Sequence, residues 1–221
     1  AFTSRHPRLR ELLLTLEILS RNPSAVAGAF IIAIMAFMGL FADLLAPFDP
    51  IRINLSERLS PPGWGHLFGT DEMGRDILSR VMHGARISLR IGFMVVAVAG
   101  ITGSFIGAAA GFFGGRIDNF IMRVMDVILS FPPLVLAMAL AAAMGPSLNN
   151  AIMAVAFVMV PKFARIVRGE ALAVKEMPYI AAARVSGAGN FWIIFNHILP
   201  NCVNSVVVLA TLTLGETILI A

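Results

Sequence analysis

The residues that could do chemistry are scattered in this chain. Its four histidines, His6, His66, His83 and His197, fall in four separate segments, and none belongs to a His-Glu-x-x-His helix. Asp71, Glu72 and Asp76 lack the alternating spacing of a calcium loop. Cys202 is the single cysteine, which leaves no disulfide framework and no thiolate cluster, so it reads as a small apolar filler within a helix. Ser104, Ser130 and Ser205 lie in apolar stretches, but no histidine within those stretches faces them, and His197 stands at a helix entrance. An intramembrane serine hydrolase is therefore disfavoured. No Gly-x-x-x-x-Gly-Lys-Ser/Thr phosphate loop occurs, so the chain by itself is not expected to hydrolyse ATP.

The better-patterned residues are mechanical rather than catalytic. Gly103, Gly107 and Gly111 form two overlapping Gly-x-x-x-Gly pairs, flanked by Gly100, Ser104 and Ala108. Small residues at this spacing let two helix backbones approach closely. They mark packing within the chain, contact with another subunit, or a translocation path. Pro132-Pro133 breaks the backbone ladder inside an apolar run, as a simple kink or a gating element. Arg123 and Asp126, three residues apart, read as a local ion pair. Glu216 is a carboxylate inside an otherwise apolar stretch, where such groups face protein or water, so it lines a path or an interface.

These residues need elements to hold them, and the composition says which. Of 221 residues 58% are hydrophobic and 14% charged, against about 25% charged in soluble domains; the mean hydropathy is +0.84. The windows 22–42, 91–115, 127–161 and 185–215 contain no Asp, Glu, Lys or Arg. A charge at the bilayer centre costs roughly 2.5–3.5 kcal/mol, and long charge-free windows are what that penalty selects. A span takes about 20 residues. The windows predict an all-α polytopic membrane protein with spans near 24–46, 89–113, 120–144, 147–168 and 199–221. The longest window is divided at Gly145-Pro146-Ser147, a turn signal. The first span begins at Asn22-Pro23-Ser24, with Ser24 as the expected cap.

Lys and Arg set the expected orientation. With the N-terminus inside, segments 1–23, 112–123 and 162–197 hold 11 of the 17 basic residues, among them Lys162, Arg165 and Arg168. The net charge of +4 is thus assigned to cytoplasmic loops beside anionic lipid rather than to nucleic-acid binding. The 48–90 segment is too polar to span. Trp64 suits the interface, and Thr70 or Asp71 suits a helix cap. Ile77, Leu78, Val81, Met82 and Ala85 oppose Arg75, Asp76, Ser79 and Arg86, which predicts an amphipathic helix lying on the outer surface.

The segment 162–197 carries the most information. Pro178-Tyr179 opens a short alanine-rich helix that runs through Ala181, Ala182, Ala183 and Arg184 and ends near Gly187-Ala188. A second helix follows with His197-Ile198-Leu199-Pro200 at its entrance. The pattern resembles the cytoplasmic coupling motif of binding-protein-dependent ABC importer permeases: Glu-Ala-Ala, three residues, Gly, nine residues, Ile, any residue, Leu-Pro. Ala181 stands at the Glu position and His197 at the Ile position, so the carboxylate contact is missing here, while Gly187 and Leu199-Pro200 match. The stretches 69–76 and 111–115 with Asp118, together with Phe131-Pro132 and 197–201, resemble the "C" permease of the dipeptide/oligopeptide branch, over roughly residues 25–221.

That resemblance implies a type I ABC importer transmembrane domain with five of an expected six spans in this chain, the C-terminal span missing. It divides the chain into a cytoplasmic segment 1–23 and a permease domain 24–221, with an outer loop and helix at 48–88 and a cytoplasmic coupling loop at 169–198. It implies a bacterial inner-membrane location and four partners besides lipid: a second permease, two cytoplasmic ATPases and an external substrate-binding protein. ATP and magnesium belong to the ATPases, and this chain carries no cofactor and no catalytic residue. ATPase coupling falls to Pro178, Tyr179, Ala181, Ala182, Ala183, Arg184, Gly187, Ala188, Leu199 and Pro200. Di- or oligopeptides are the expected cargo, with nickel chelates or glutathione as alternatives of the same branch. A non-transporting membrane anchor with 48–90 as a binding surface is the reading from a different class.

Overall fold

The computed structural model describes residues 21–220, with side chains to Leu219. The N-terminal residues expected to be cytoplasmic, including His6, Arg5, Arg8 and Arg10, lie outside the described residues. Among the described residues the structure is helical, with one isolated antiparallel bridge between Thr70 and Asp76. Among the described residues four helices are long and apolar enough to cross a membrane, and a fifth candidate is a pair of helices bent by 91°. The chain divides into two compact units, residues 1–89 and 90–221.

In the first unit α1 covers Pro23–Leu40 and is followed by the short α2, Ala42–Leu45. The cap of α1 is Asn22, not Ser24: its Oδ1 accepts from the amides of Ser24 and Ala25, and Pro23 takes the first helical position, where its missing N–H does no harm. Arg86 closes the other end. Its guanidinium donates to the carbonyls of Gly39 (2.8 Å) and Leu40 (3.2 Å) and to Asp43 (2.9 Å), groups a helix C-terminus leaves without partners. Gly39 permits this approach, because a Cβ there would lie 3.1 Å from the Arg86 amide nitrogen.

Residues 46–76 fold around Asp76, which is the true cap of the next helix. Asp76 Oδ2 accepts from the Ser79 amide (2.8 Å) and hydroxyl (2.7 Å), and Ser79 Oγ in turn accepts from the Phe48 amide (3.1 Å). Neither Thr70 nor Asp71 caps the helix. Asp71 Oδ1 holds a turn through the Met73 and Arg75 amides, and Thr70 donates to the Glu57 carbonyl while its Oγ1 accepts from the Ser60 amide. His66 sits between Asp76 (2.9 Å) and Glu57 (3.4 Å), beneath the Phe48 ring. The amphipathic helix expected at 77–88 is not separate: α3 runs unbroken from Ile77 to Phe113. Part of its polar side is buried. Ser79 and Asp76 are covered and Val81 is exposed, because the loop satisfies the polar groups directly.

In the second unit α3 lies against α6, Leu148–Val174, along the glycine series. A Cβ on Gly103 would fall 2.7 Å from the Val160 carbonyl oxygen, one on Gly107 would strike the Ala164 carbonyl, and one on Gly111 would fall 2.8 Å from the Arg168 carbonyl oxygen. The three glycines therefore let the two backbones touch, with Phe163 and Ala164 fully buried beside them. The stretch expected to form one span at 120–144 is two helices, α4 (Gly115–Leu129) and α5 (Pro133–Met144), bent by 91°. Pro133 begins α5 and Pro132 precedes it, so the break is complete rather than a kink. Gly145, at φ 92°, turns the chain into α6, and Asn150 donates to the Met144 and Gly145 carbonyls. The expected division of the long window at this turn is what the structure has. α6 continues to Val174, beyond the expected end at 168, because Ala171 and Val174 still bury apolar surface.

Two expectations follow. Gly107→Leu should lower stability by at least about 2 kcal/mol through overpacking against the α6 backbone. Gly28→Leu, with no neighbour within 4 Å, should not. Cys202 is the single cysteine and fully buried, so its reaction with a thiol-reactive dye during a thermal ramp reads both. Equal transition temperatures would contradict the seam. The second concerns the loop. The Asp76 hydrogen bond, reinforced by Glu57 and opposed by burial, raises the His66 pKa. Burial disfavours the Asp76 carboxylate, but the Ser79 and His66 hydrogen bonds outweigh it and its pKa is lowered. The histidine's contribution is full below about pH 6.5 and is lost as pH rises through its raised value; the aspartate's is present above about pH 3.9 and is lost as pH falls through its lowered one. Protection of the Phe48 and Ser79 amides from hydrogen exchange, corrected for intrinsic rates, should peak between these limits. A flat profile from mildly acidic to alkaline pH would contradict it.

Candidate functional site

The alanine-rich motif folds as α7, Pro178–Val185, with Pro178 at its first position. Its end is built by hydrogen bonds: the Gly187 amide donates to Arg184 O (3.0 Å) and the Ala188 amide to Ala183 O (3.0 Å). This is the six-to-one and five-to-two pattern of a Schellman cap, which needs a left-handed residue at the turn. Gly187 supplies it at φ 85°. Ala183 and Ala188 both pack on the neighbouring apolar cluster, the hydrophobic contact that accompanies such a cap.

One side chain bolts α7 to the bundle. Ile180 is fully buried in a cluster with Phe112 of α3, Val167, Ala171 and Val174 of α6, and Ile193, Ile194 and Ile198 beyond the turn. Full burial of one isoleucine stabilises by about 1.5–3 kcal/mol. The Arg184 guanidinium lies 5.2 Å from the Phe112 ring centroid, a cation–π contact at the end of α3. His197, between Tyr179 (5.6 Å) and Trp192 (5.1 Å), forms an aromatic group under the start of α7. Away from the bundle Ala181, Ala182, Val185 and Gly187 are exposed, Val185 at 91%, and Tyr179 and Arg184 stay exposed at the margins of their contacts. α7 thus has one buried anchor and one shallow, small-residue surface.

The chain then re-enters the bundle through α8, Asn190–Ile193, and a wide π turn, Ile194–Ile198, which leads into α9, Leu199–Ile220. Pro200 accounts for the position of the wide turn. It has no N–H to give to the carbonyl four residues earlier, and a π bulge lets the ladder pass that point. Leu199 packs on the Ile180 cluster, and Pro200 is exposed.

The charges within the spans pair across helices. Asp126 meets Arg165 of α6 at 2.7 Å rather than the expected Arg123. Asp118, nearly buried, takes Arg168 through two bonds of 2.5 and 2.7 Å. Glu216 of α9 takes Lys162 at 2.9 Å, and Glu170 accepts from Ser205 at 2.7 Å. Lys162, Arg165 and Arg168, three residues apart, thereby tie α6 to α9 and twice to α4. Sequence reasoning read them as topology markers. The clue it passed over was the presence of Asp118 and Asp126 eight residues apart on one amphipathic helix. Ile180 was passed over as well, being the lone large apolar residue among alanines.

The predicted residues are therefore in four places. Pro178 to Ala188 gather at α7 with Leu199 and Pro200 beside it, while Gly103, Gly107 and Gly111 lie in the α3–α6 seam. Pro132 and Pro133 form the bend, and Glu216 sits on α9. Among the described residues no group of His, Cys, Asp or Glu is placed to hold a metal ion.

Comparison with known proteins places this geometry. Residues 103–221 match the family described as binding-protein-dependent transport system inner membrane component, and residues 13–62 match the N-terminal transmembrane domain of oligopeptide transport permease C. A probable D,D-dipeptide transport system permease protein of Escherichia coli (strain K12) is 48% identical over 204 residues, covering 92% of this chain and 68% of that one. A dipeptide transport system permease protein of Alkalihalophilus pseudofirmus is 44% identical over 201 residues, covering 91% and 66%. A glutathione transport system permease protein of Pectobacterium atrosepticum is 39% identical over 206 residues, covering 93% and 68%. The chain spans about two thirds of the length of these relatives. It belongs to the inner-membrane components of binding-protein-dependent ABC transport systems, in their dipeptide/oligopeptide C-type permease branch: a multi-pass, non-catalytic membrane subunit with the type I ABC importer transmembrane fold.

Proposed function

We propose that this chain is one half of the translocation unit of an ATP-driven importer of di- or oligopeptides. Its N-terminus and α7 face the cytoplasm, and residues 46–76 face the outside. A second, similar permease completes the passage, an external binding protein delivers the peptide, and two ATPase subunits dock on α7. ATP and magnesium are bound by those subunits, and this chain contributes no cofactor site. Closure of the ATPase pair moves α7, and alternating access of the spans follows.

The observation that carries this reading is the construction of α7. A helix anchored by Ile180 alone would swing. With the Gly187 cap, the Arg184–Phe112 contact and the His197 aromatic group, it moves with the ends of α3, α6 and α8 as one piece. Its shallow alanine face suits a groove on a partner. The dipeptide relatives support peptides as the cargo, and the glutathione relative keeps a second cargo to be tested.

The test is reconstitution with the ATPases, second permease and binding protein that co-purify with the full-length chain, followed by uptake of labelled dipeptide, glutathione and nickel. Dipeptide should be the substrate taken up. No neighbour crowds Gly187, so Gly187→Glu should fold at a conformational cost of about 1–2 kcal/mol. It should nevertheless reduce uptake by roughly ten-fold or more, because its side chain projects from the docking face. Gly187→Asn, which tolerates the left-handed conformation, should fold equally well and lose less. Uptake without any ATPase, or full uptake by Gly187→Glu, would refute the coupling role.

A further inference from the structure

The Lys162–Glu216 pair joins two helices that are both long and apolar enough to cross a membrane. Lys162 is within one residue of the middle of the 27-residue α6. Its side chain is 33% exposed and that of Glu216 46%, so the pair is bonded but not enclosed by the described residues. A lipid-facing charge at the centre of a bilayer costs roughly 2.5–3.5 kcal/mol. Intramembrane ionisable groups accordingly face protein or a water-filled space.

The pair stands one helical turn beyond a groove: Lys162 is four residues before Ile166, and Glu216 four after Leu212. Ile166 of α6 and Asn204, Ser205, Val208, Leu209 and Leu212 of α9 line an open groove of ≈ 390 Å³. Lys162, Ile166 and Glu170 follow one another at steps of four on α6, so the Glu170–Ser205 hydrogen bond lies about 12 Å further along. The floor between is mostly apolar, with Asn204 and Ser205 its polar members. Beyond its end stand an ammonium and a carboxylate with no net charge.

We propose that this groove is a transient binding site for short peptides with free termini: Lys162 takes the terminal carboxylate, Glu216 the terminal ammonium, and the two side chains exchange each other for the substrate. A simple cation or anion would satisfy one member and strand the other. A molecule carrying both charges matches both, and the ends of an extended dipeptide lie roughly 7 Å apart, within reach of two long side chains that part. The mostly apolar floor holds peptide side chains. The inference rests on the peptide-importer reading above.

The complete transporter in nanodiscs, without binding protein, is irradiated with a dipeptide of alanine and a diazirine analogue of leucine, and adducts are mapped by mass spectrometry. Adducts should fall on Ile166, Val208 and Leu212. Free dialanine should compete about ten-fold better than N-acetyl-dialanine or dialanine amide. Lys162→Gln should abolish the difference between dialanine and its amide. Glu216→Gln should abolish the difference between dialanine and its acetylated form. A merely structural pair would instead weaken all competitors alike. Adducts elsewhere or nowhere, equal competition by blocked peptides in the unmodified complex, or cross-linking of Glu216→Cys to the second permease would each overturn the site. Dipeptide uptake by the same complex separates the two failures: uptake without groove adducts removes this inference alone, and no uptake of any peptide removes the importer reading as well.

Discussion

Everything in the second unit hangs on the contact between α3 and α6. Gly103, Gly107 and Gly111 remove side chains from one face of α3, and the Val160, Ala164 and Arg168 carbonyls occupy the space. Dispersion across touching backbones has to supply the association, because lipid tails offer apolar side chains as good a solvent as one another. With one flank of α6 fixed this closely, its other flanks have defined positions. Lys162, Arg165 and Arg168 can then reach acids on α9 and α4 at bonding distance.

The ion pairs differ in what they contribute. Arg168 and Asp118 meet in two-point geometry with the carboxylate nearly buried, so loss of Arg168 would leave a buried charge uncompensated, a defect of up to about 3–5 kcal/mol. Arg165 and Asp126 are both more than half exposed, and their bond is worth little for stability. Of the three pairs on the basic stripe of α6, the one nearest α7 is the most enclosed and the central one the most open.

What the sequence made legible were features set by local chemistry or by the bilayer. The charge-free windows located the helices, Gly145-Pro146-Ser147 the turn between α5 and α6, and Gly187 the end of α7. Features that depend on distant partners were not legible. Asp126 had a neighbour of opposite sign three residues away, yet it bonds 39 residues further on, because the tertiary approach of α6 brings Arg165 into line. Asp76, not Thr70 or Asp71, caps α3, since only its carboxylate can also meet His66 and Ser79. The polar side of residues 77–88 looked solvated because the 46–76 segment that covers part of it carries no apolar periodicity. The glycine series was visible as spacing, but spacing alone does not name the helix on the other side.

The right-angle break at Pro132-Pro133 has a consequence for the surrounding lipid. α5 rises only about 18 Å in its 12 residues, against about 40 Å for the 27 residues of α6 beside it. A hydrocarbon core is about 30 Å thick. On the α5 side the chain matches a thinner bilayer than on the α6 side, with the amphipathic α4 leaving at the step. Hydrophobic mismatch is thus built into a single subunit, and the lipid annulus along that edge has to thin or be replaced by protein.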